Sequence, residues 1–515
     1  MTDDEQPIEP PSESTADEAG TTGGRAKRAA IVAVRVVRGT VAVWVAVAVI
    51  LIVGLVPLPT VAITPPSVEV VPVPADQLRL CAGSLMRLGD ETGQDAGTAE
   101  PLGSPSVRVG SIDGTADRST LESESSADPT LFRLEPSQNS RLSAAQSQLI
   151  NDQGFTGLAG TACAEPSGSI WLVGGATTVG RTTLLTLGNP TEVDAMVTLT
   201  IHGEEGAVQA PGMTGINVPA GSQRVLSLAG FAPDVAAPIV HVEARGGRVT
   251  AWLQQSTTRV LDPGGVDLVG ESVAPAETQV IPGIRVIDAV AASRIVGRED
   301  YGDLAPTVRI AVPGDESTVA TVSVTPDDPA LTGTSFEIQV AAGAVVDVPI
   351  DAGSEAPEGE PALADGGYTV TVTADEPVLA GVRVSTAQES PAARNASPFA
   401  PPIPPVTDFA WLAAAPALSG DTLVTIAPGP APRLTAVNPT DAPVELLLAA
   451  QGGADIRLTV PAGASASVDV VPDVSYLLTG AEGLHATVSY AAVGQLAGYP
   501  VVSARPGSHP IVVHP

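Results

Sequence analysis

The chain has 515 residues, which is enough for roughly three or four domains at about 150 residues each. Its 25 basic and 57 acidic residues give a formal net charge of -32, and such a charge repels the phosphate backbone of nucleic acids. Aromatic residues make up 3% of the chain, whereas it contains 52 glycines and 48 prolines, so turns are favoured over long helical bundles. The sequence therefore excludes a nucleic-acid-binding protein.

An apolar segment near the N-terminus is long enough to cross a membrane. Residues 39–56 contain no charged side chain, and about 20 apolar residues span a hydrocarbon core as a helix. Five basic residues precede the segment, and the next one after it is Arg79. The positive-inside rule predicts a single-pass cell-membrane protein with a transmembrane helix at residues 39–57, a cytoplasmic N-terminus and an extracellular C-terminal region. A cleaved signal peptide fits less well, because the apolar run is too long and lacks a clear cleavage site.

Two cysteines, Cys81 and Cys163, follow the apolar segment and so lie on its extracellular side. An even pair in an oxidising compartment is typical of a disulfide. The spacing is not CxxC and no histidine is close in sequence, so a redox or zinc site is not expected. We predict a structural disulfide between Cys81 and Cys163.

Two stretches are predicted to lack regular structure. Residues 1–38 begin with a polar, acidic sequence that buries too little apolar surface to fold, so we expect a disordered cytoplasmic tail. Residues 58–164 combine a Pro-rich spacer with a tract rich in Gly, Ser, Asp and Glu. We predict a Pro-rich stalk and a low-complexity loop there.

From about residue 165 onward, short runs rich in Val, Leu, Ile and Thr alternate with turn residues, a pattern typical of β-strands. The motifs VPAGS, VAAGA and VPAGA recur and place Gly221, Gly343 and Gly463 at intervals of 122 and 120 residues. Two further pairs of motifs recur at a spacing similar to that between Gly221 and Gly463. They are NPT at residues 189–191 with NPT at 438–440, and the sequence around Trp171 with that around Trp411.

These repeats predict an all-β fold: three tandem immunoglobulin-like antiparallel β-sandwich modules after one N-terminal transmembrane helix. The modules are expected to be residues 165–278, 279–403 and 404–515, arranged as separate units along the chain. Pro-rich joints such as residues 397–408 would limit bending between them.

The extracellular part resembles an actinobacterial family of membrane-anchored secreted proteins of unknown function. The resemblance covers roughly residues 75–515 and is clearest in CAEPSGSIWLVGG (163–175) and VPAGSQRVLSL (218–228). These motifs consist of turn and core residues. The resemblance therefore implies a fold and an envelope location, and it implies no catalytic residues.

Several near-matches to functional motifs have simpler explanations. The segment 175–182, GATTVGRT, resembles a phosphate-binding loop but has Arg181 where lysine is required, and a strand follows it, so we expect a hairpin turn. The acidic run 298–303 lacks the spacing of a calcium loop, which indicates a solvated loop. The histidines show no metal-ligand spacing. They are His202, His241, His485, His509 and His514.

Exposed aromatic rings would indicate a carbohydrate-binding surface. Trp44 lies in the apolar segment, and we expect Trp171, Trp252 and Trp411 to pack in the core. The sequence thus selects no catalytic, cofactor-binding or metal-binding residue, and no cofactor and no enzymatic activity are expected. It favours a non-enzymatic interaction or scaffold protein of the cell envelope, attached to the membrane by residues 39–57 and contacting a protein partner. The alternative is a protein that binds cell-wall glycan or glycolipid during envelope assembly.

Overall fold

The structure is a computed structural model. It describes residues 41, 44, 47, 68–70, 76–88, 99–123, 125, 128–137, 139–152, 154–350, 361, 363–390, 403–504 and 511–513.

The predicted cytoplasmic tail, residues 1–38, lies outside the described residues. Of the predicted transmembrane segment, the structure describes only Val41, Trp44 and Val47, so that prediction also falls outside the described part. Among the described residues, no helix has the length and apolarity needed to cross a membrane.

The N-terminal β region, residues 76–164, contains short strands. The strands of the chain up to this point are β1 (Val68–Val70), β2 (Gln77–Leu80), β3 (Leu85–Leu88), β4 (Ala99–Leu102), β5 (Ser106–Ile112), β6 (Asp117–Thr120), β7 (Glu122–Ser123), β8 (Thr130–Leu134), β9 (Arg141–Asp152) and β10 (Phe155–Ala162). Eight of these ten strands form the sheets β10-β9-β5, β2-β8-β6 and β3-β4. The expected stalk and low-complexity loop at 58–164 is therefore corrected for the described residues, which are folded.

Buried glutamines explain why this polar sequence folds. Gln146 accepts a hydrogen bond from Gly83 N (3.1 Å) and donates one to Gly83 O (2.9 Å). Gln148 accepts one from Leu85 N (2.9 Å). Both side chains are buried, and they satisfy backbone groups of Gly83 and Leu85 as a neighbouring strand would. Average composition conceals this role, because glutamine counts only as polar.

The structure joins Cys81 and Cys163 in a disulfide, which is consistent with the expectation from the sequence. Both residues are buried, together with Phe132, Leu134 and Leu142. The bond connects the end of β2 to the end of β10, 82 residues apart in sequence, and so holds the N-terminal β region closed.

The next segment of the chain contains nine strands and a 3-10 turn at Leu228–Gly230. The strands are β11 (Ser169–Val173), β12 (Arg181–Asn189), β13 (Ala195–Gly203), β14 (Gly206–Ala207), β15 (Ile216–Val218), β16 (Ser222–Ser227), β17 (Ile239–Gly246), β18 (Thr250–Arg259) and β19 (Asp262–Val269). One sheet has the order β11-β17-β13-β15, with β14 also paired to β13, and the other has the order β19-β18-β12-β16-β7. Their inner faces form one apolar core.

The middle segment contains the only α-helix of the elements whose bounds the structure describes. Its elements are β20 (Ala276–Val286), α1 (Ala289–Val296), a 3-10 turn (Gly302–Leu304), β21 (Thr307–Ala311), β22 (Thr318–Pro326), β23 (Thr334–Val340), β24 (Val345–Pro349), β25 (Gly366–Gln388) and β26 (Val406–Ala413). The 23-residue strand β25 runs through both sheets, pairing with β20 and β22 in one and with β21 and β26 in the other.

The last segment again contains two sheets, with the orders β27-β32-β29-β30 and β31-β28-β33-β34. The strands are β27 (Thr422–Thr425), β28 (Arg433–Val437), β29 (Val444–Ala450), β30 (Ile456–Val460), β31 (Ser465–Asp469), β32 (Ser475–Thr479), β33 (His485–Ala492), β34 (Gln495–Pro500) and β35 (Ile511–Val513). Strand β35 pairs antiparallel with β1, and both belong to a separate unit made of the two ends of the chain.

The recurring glycines mark equivalent turns. Gly221, Gly343 and Gly463 all have positive φ (67°, 72° and 61°), a conformation that costs other residues energy. In each case the residue that follows donates its N–H to the carbonyl three positions back, as in Ser222 N to Pro219 O (3.2 Å). The repeated sequence therefore encodes a repeated turn.

The two Asn-Pro-Thr motifs make the same hydrogen bonds. Asn189 Nδ2 donates to Val193 O (2.8 Å) and Val218 O (3.0 Å), and Asn189 Oδ1 accepts from Thr191. Asn438 Nδ2 donates to Ala442 O (2.8 Å) and to Val460 O (3.2 Å). Each asparagine is fully buried and ties the turn after one strand to the strand before the recurring glycine.

Strand order corrects the expected match between Trp171 and Trp411. Trp171 lies on the edge strand β11 and Trp411 on β26, which pairs with β25 of the preceding segment. By strand order β27, not β26, corresponds to β11. The expected boundary at residue 404 thus precedes a strand that completes a sheet of the middle segment.

The expectation of separate units along the chain is also corrected, because buried side chains connect the segments. Asp408 on β26 is fully buried and accepts backbone hydrogen bonds from Leu158 (2.9 Å), Val266 (3.2 Å) and Leu496 (2.9 Å). These donors lie on β10, β19 and β34. One carboxylate therefore joins four parts of the chain, and residues 71–509 form one compact unit.

A second buried aspartate reinforces the same junction. Asp267 on β19 accepts a hydrogen bond from Trp411 N (2.7 Å), while the N–H of its neighbour Val266 donates to Asp408. The two carboxyl groups thus bridge β19 and β26 in both directions. Burial raises the pKa of Asp267 to about 8, although N–H donors of Trp411 and Leu268 and the charge of Arg383 lower it.

Replacing Asp267 with asparagine should change how stability depends on pH. Between about pH 4 and 8 the folded chain holds a proton on Asp267 that the unfolded chain releases, so the free energy of unfolding falls as pH rises. Because asparagine does not titrate, the free energy of unfolding of Asp267→Asn should fall less steeply with pH than that of the wild type. The difference in slope should be on the order of 1 kcal/mol per pH unit. Urea unfolding at pH 5, 6.5 and 8 measures it.

The exposed Asp262→Asn serves as the matched control and should keep the wild-type slope. Equal slopes for Asp267→Asn and the wild type would contradict a protonated Asp267 in the folded protein.

Candidate functional site

An open cleft of about 450 Å³ lies where the sheet β11-β17-β13-β15 meets loops of the middle segment. We call it the Trp171 cleft. Its described lining residues are Trp171, Thr200, His202, His241, Val312, Pro313, Gly314, Glu376 and Pro377.

Strand register brings the polar and aromatic groups of one wall together. Trp171 on β11 is directly opposite His241 on β17, which is opposite Thr200 on β13. Side chains in register on adjacent strands share a face of the sheet, so these three form a row. His202 lies two residues beyond Thr200 on the same face. Because the residues are far apart in sequence, only the sheet reveals the group.

The rings of this row are in contact. Trp171 and His241 stack with centroids 3.9 Å apart and planes 6° from parallel. The His202 ring lies 6.4 Å from Trp171 at 34°. Trp171 is half-buried, in contrast to Trp252 and Trp411, which are buried as expected. The prediction that Trp171 is a core residue is therefore only partly met, since its ring also lines the cleft.

Each histidine makes one polar contact that fixes its ring. His241 Nε2 lies 2.8 Å from Ser169 Oγ, and His202 Nδ1 lies 3.0 Å from Gly343 O. Burial lowers the pKa of His241, the charge of Glu243 raises it, and His202 lowers it, so the net shift is downward. At neutral pH the His241 ring is therefore uncharged, and it offers hydrogen bonds and a stacking surface.

A buried arginine connects the middle segment to the segment that carries β11 and β17. Arg309 on β21 is 1% exposed, pairs with Asp347 (2.7 Å), and donates to Gly175 O and Pro238 O at 2.9 Å each. Its guanidinium lies 4.4 Å from the centre of the Trp411 ring. These bonds join β21 of the middle segment to the residues that follow β11 and precede β17.

The residues 175–182 do not form a phosphate-binding loop, and no helix follows them. They also correct the expectation of a hairpin turn, because β11 and β12 belong to different sheets. Arg181 instead pairs with Asp303 (3.0 Å), which also pairs with Arg259 (2.7 Å) and Arg383 (3.1 Å). Burial alone would raise the pKa of Asp303, but the three guanidiniums hold it below its usual value. The cluster fastens the acidic run 298–303 to the sheets.

The other candidates from the sequence stay apart. His485 Nδ1 contacts Ala415 O at 2.8 Å, whereas His509 and His514 lie outside the described residues. Within the described residues, no group of three His, Cys, Asp or Glu side chains is placed to hold a metal ion.

Sequence reasoning missed the residues that organise the site. Glu376 on β25 contributes a half-buried carboxylate to the cleft, and Arg309 on β21 bonds the residues beside β11 and β17. Neither the arginine in RIAVPG nor the acidic pair in DEPVL forms a motif. The sequence carried no signal for either residue, because their neighbours at the site are distant in sequence.

Comparison with known proteins identifies a family. A family described as a family of unknown function (DUF5719) matches residues 120–472, which is more than half of the chain. No curated protein matches.

The charge of Glu243 should control the pKa of His241. Glu243→Gln removes an interaction that raises this pKa, so the pKa should fall further below the usual 6.5. NMR titration of the histidine Cε1–H signals measures it, with the His241 signal identified by its loss in His241→Gln. The exposed Glu482→Gln is the control. An unchanged or higher pKa in Glu243→Gln would show that the two side chains do not interact.

Proposed function

Since the chain belongs to the DUF5719 family, whose function is unknown, we propose its function from the site: it is a non-enzymatic interaction protein of the cell envelope. The N-terminal apolar segment, residues 39–57, anchors it in the membrane with its N-terminus in the cytoplasm. The C-terminal region is extracellular. The charge-free run, the basic residues before it and the disulfide between Cys81 and Cys163 support this arrangement.

The extracellular region carries three tandem immunoglobulin-like sandwiches. The recurrent strand orders support this, since β11-β17-β13-β15, β20-β25-β22-β23 and β27-β32-β29-β30 follow one scheme. The equivalent turns at Gly221, Gly343 and Gly463 support it independently. Antiparallel sandwiches of this kind serve as frameworks that present loops and sheet faces to partners.

The Trp171 cleft is the contact surface, and its open geometry is the observation that carries the proposal. An indole and two imidazoles line a concavity, and Glu376 stands on its other wall. Tryptophan is enriched among the residues that dominate binding at protein interfaces, and such residues cluster near the interface centre. The sheet face continues from the cleft past the exposed residues Ser169 and Glu243, so a partner has more surface to contact.

The groups in the cleft support binding over catalysis. His241 contacts Ser169, yet among the described residues no acidic side chain hydrogen-bonds its ring, as a catalytic triad requires. The ring instead stacks on Trp171. We therefore assign these side chains to recognition of a protein partner in the envelope.

A second candidate ligand is a cell-wall glycan or glycolipid. The half-buried Trp171 favours it, because sugar rings pack their C–H faces on indole rings, and Thr200 and Glu376 could bind hydroxyl groups.

Photocrosslinking in intact cells separates the two candidates. A photoreactive amino acid at Glu376, in the cleft, should give an adduct with another protein. The same residue at Val471, which is 55% exposed and does not line the cleft, should give none. Adducts at both positions, or no protein adduct at Glu376, would contradict a protein partner in the cleft.

Co-sedimentation of the full chain with purified wall sacculi provides the second arm. Saturable binding that Trp171→Ala abolishes would establish the glycan candidate in place of a protein partner. The buried Trp252 is not used as a control, because its loss would disturb the core.

A further inference from the structure

Strand β23 (Thr334–Val340) lies at one end of its sheet, and all seven of its residues pair with β22 on one side. In an antiparallel pair, alternate residues of an edge strand direct their N–H and C=O groups away from the paired neighbour. Among the described residues, no turn or loop makes a backbone hydrogen bond to residues 334–340. Within that part of the chain, the outer edge of β23 is therefore free to pair with another strand.

The edge of β23 lacks the features that usually prevent edge strands from pairing. Proteins protect such strands by making them very short or by placing lysine, proline or a bulge in them. The sequence of β23, TSFEIQV, contains no lysine or proline, and its register with β22 is uninterrupted. The strands before the other two recurring glycines are shorter, since β15 has three residues and β30 has five. A long, unprotected edge indicates a surface that a partner strand covers.

The surroundings of this edge are acidic. Residues 310–382 contain thirteen acidic residues and no lysine, arginine or histidine. Glu337 lies near the centre of β23 and is exposed. Two acidic pairs lie at opposite ends of the β22–β23 pair, because residues 315–316 precede β22 and residues 327–328 follow it. Opposite charges on paired strands attract, so a strand with basic side chains complements β23.

We propose that an extended segment of a protein partner, rich in basic residues, adds to the sheet beside β23. Its backbone pairs with the outer N–H and C=O groups of β23, and its basic side chains face Glu337 and the acidic pairs. A second copy of this chain fits less well, because a net charge of -32 makes two copies repel each other. This surface includes no residue that lines the Trp171 cleft, and it does not depend on the function proposed for that cleft.

Hydrogen exchange of the full chain in a non-ionic detergent, resolved by residue, tests the proposal. The probe is a capped seven-residue peptide of alternating arginine and valine. In the free chain, alternate amides of β23 should exchange rapidly, since they have no partner strand. With the peptide at about ten times its Kd, these amides should exchange about tenfold more slowly.

Two control peptides separate strand pairing from simple charge attraction. One has glutamate in place of every arginine. The other keeps the arginines but carries N-methyl groups on two adjacent central residues, so that one N–H is lost on each of its edges. Neither peptide should slow the exchange of the β23 amides, because the first lacks the charge and the second lacks the hydrogen bonds.

Glu337→Lys tests the role of charge at the centre of β23. It places a basic side chain on the edge strand, so the basic peptide should bind about tenfold more weakly. The exposed Glu482→Lys, on the last segment, is the matched control and should bind the peptide as the wild type does. Continued slow exchange of the buried Val322 on β22 shows that the variant is folded.

The proposal would be overturned by slow exchange of every β23 amide in the free chain, or by equal effects of the basic and acidic peptides. Equal peptide binding by Glu337→Lys and the wild type would also overturn it. The same holds if the β23 amides become protected as the concentration of the chain rises without peptide. If Arg457→Glu, at the exposed centre of β30, removes that protection, the partner strand is β30 of a second copy.

Discussion

The buried carboxylate of Asp408 is the interaction on which the rest of the structure depends. Its two oxygens accept N–H groups from three strands that belong to different parts of the chain. Such close approach requires small residues before two of the donors. A Cβ on Gly157 would lie 2.3 Å from Asp408 Oδ1, and one on Gly265 would lie 2.8 Å from the same atom. Asp408 and these two glycines therefore act together to hold β10, β19 and β34 around β26.

Burying this group has a physical cost that the structure offsets locally. Burial raises the pKa of Asp408 well above its usual value, while the N–H donors of Leu158, Leu496, Phe409 and Val266 lower it. The N–H groups of Leu158, Val266 and Leu496 lie on strands that do not pair with β26, and the carboxyl group of Asp408 gives them an acceptor inside the protein. The Asp408 side chain thus provides the hydrogen-bond acceptors that a paired strand would otherwise provide. The consequence for function is a framework that holds the Trp171 cleft in a fixed position.

The sequence predicted the features that depend on local chemistry. An all-β fold followed from strand alternation, and the turns at Gly221, Gly343 and Gly463 followed from a recurring motif whose positive φ only glycine adopts readily. The two Asn-Pro-Thr motifs likewise make matching bonds because each turn is a local unit. Such features repeat in sequence since they need only their own neighbours.

Features that depend on residues distant in sequence could not be predicted from the sequence. The sequences around Trp171 and Trp411 are similar, but Trp171 lies on the edge strand β11, whereas Trp411 lies on β26, which pairs with β25. The polar sequence around Gln146 was read as unstructured because its backbone partners lie 63 residues away. His202 and His241 seemed unrelated until β13 and β17 paired. Asp408 itself followed a Pro-rich stretch and showed no pattern.

Amide hydrogen exchange in Asp408→Ala tests the central role of this carboxylate most directly. The account predicts that the amides of Leu158, Val266 and Leu496 lose protection together, while the Thr191 amide, bonded to Asn189 in a separate turn, keeps its own. Should the alanine variant unfold completely, Asp408→Asn keeps one acceptor oxygen and should expose only the amides that face its NH₂ group. Unchanged protection of all three amides in a folded variant would show that Asp408 does not hold these strands together.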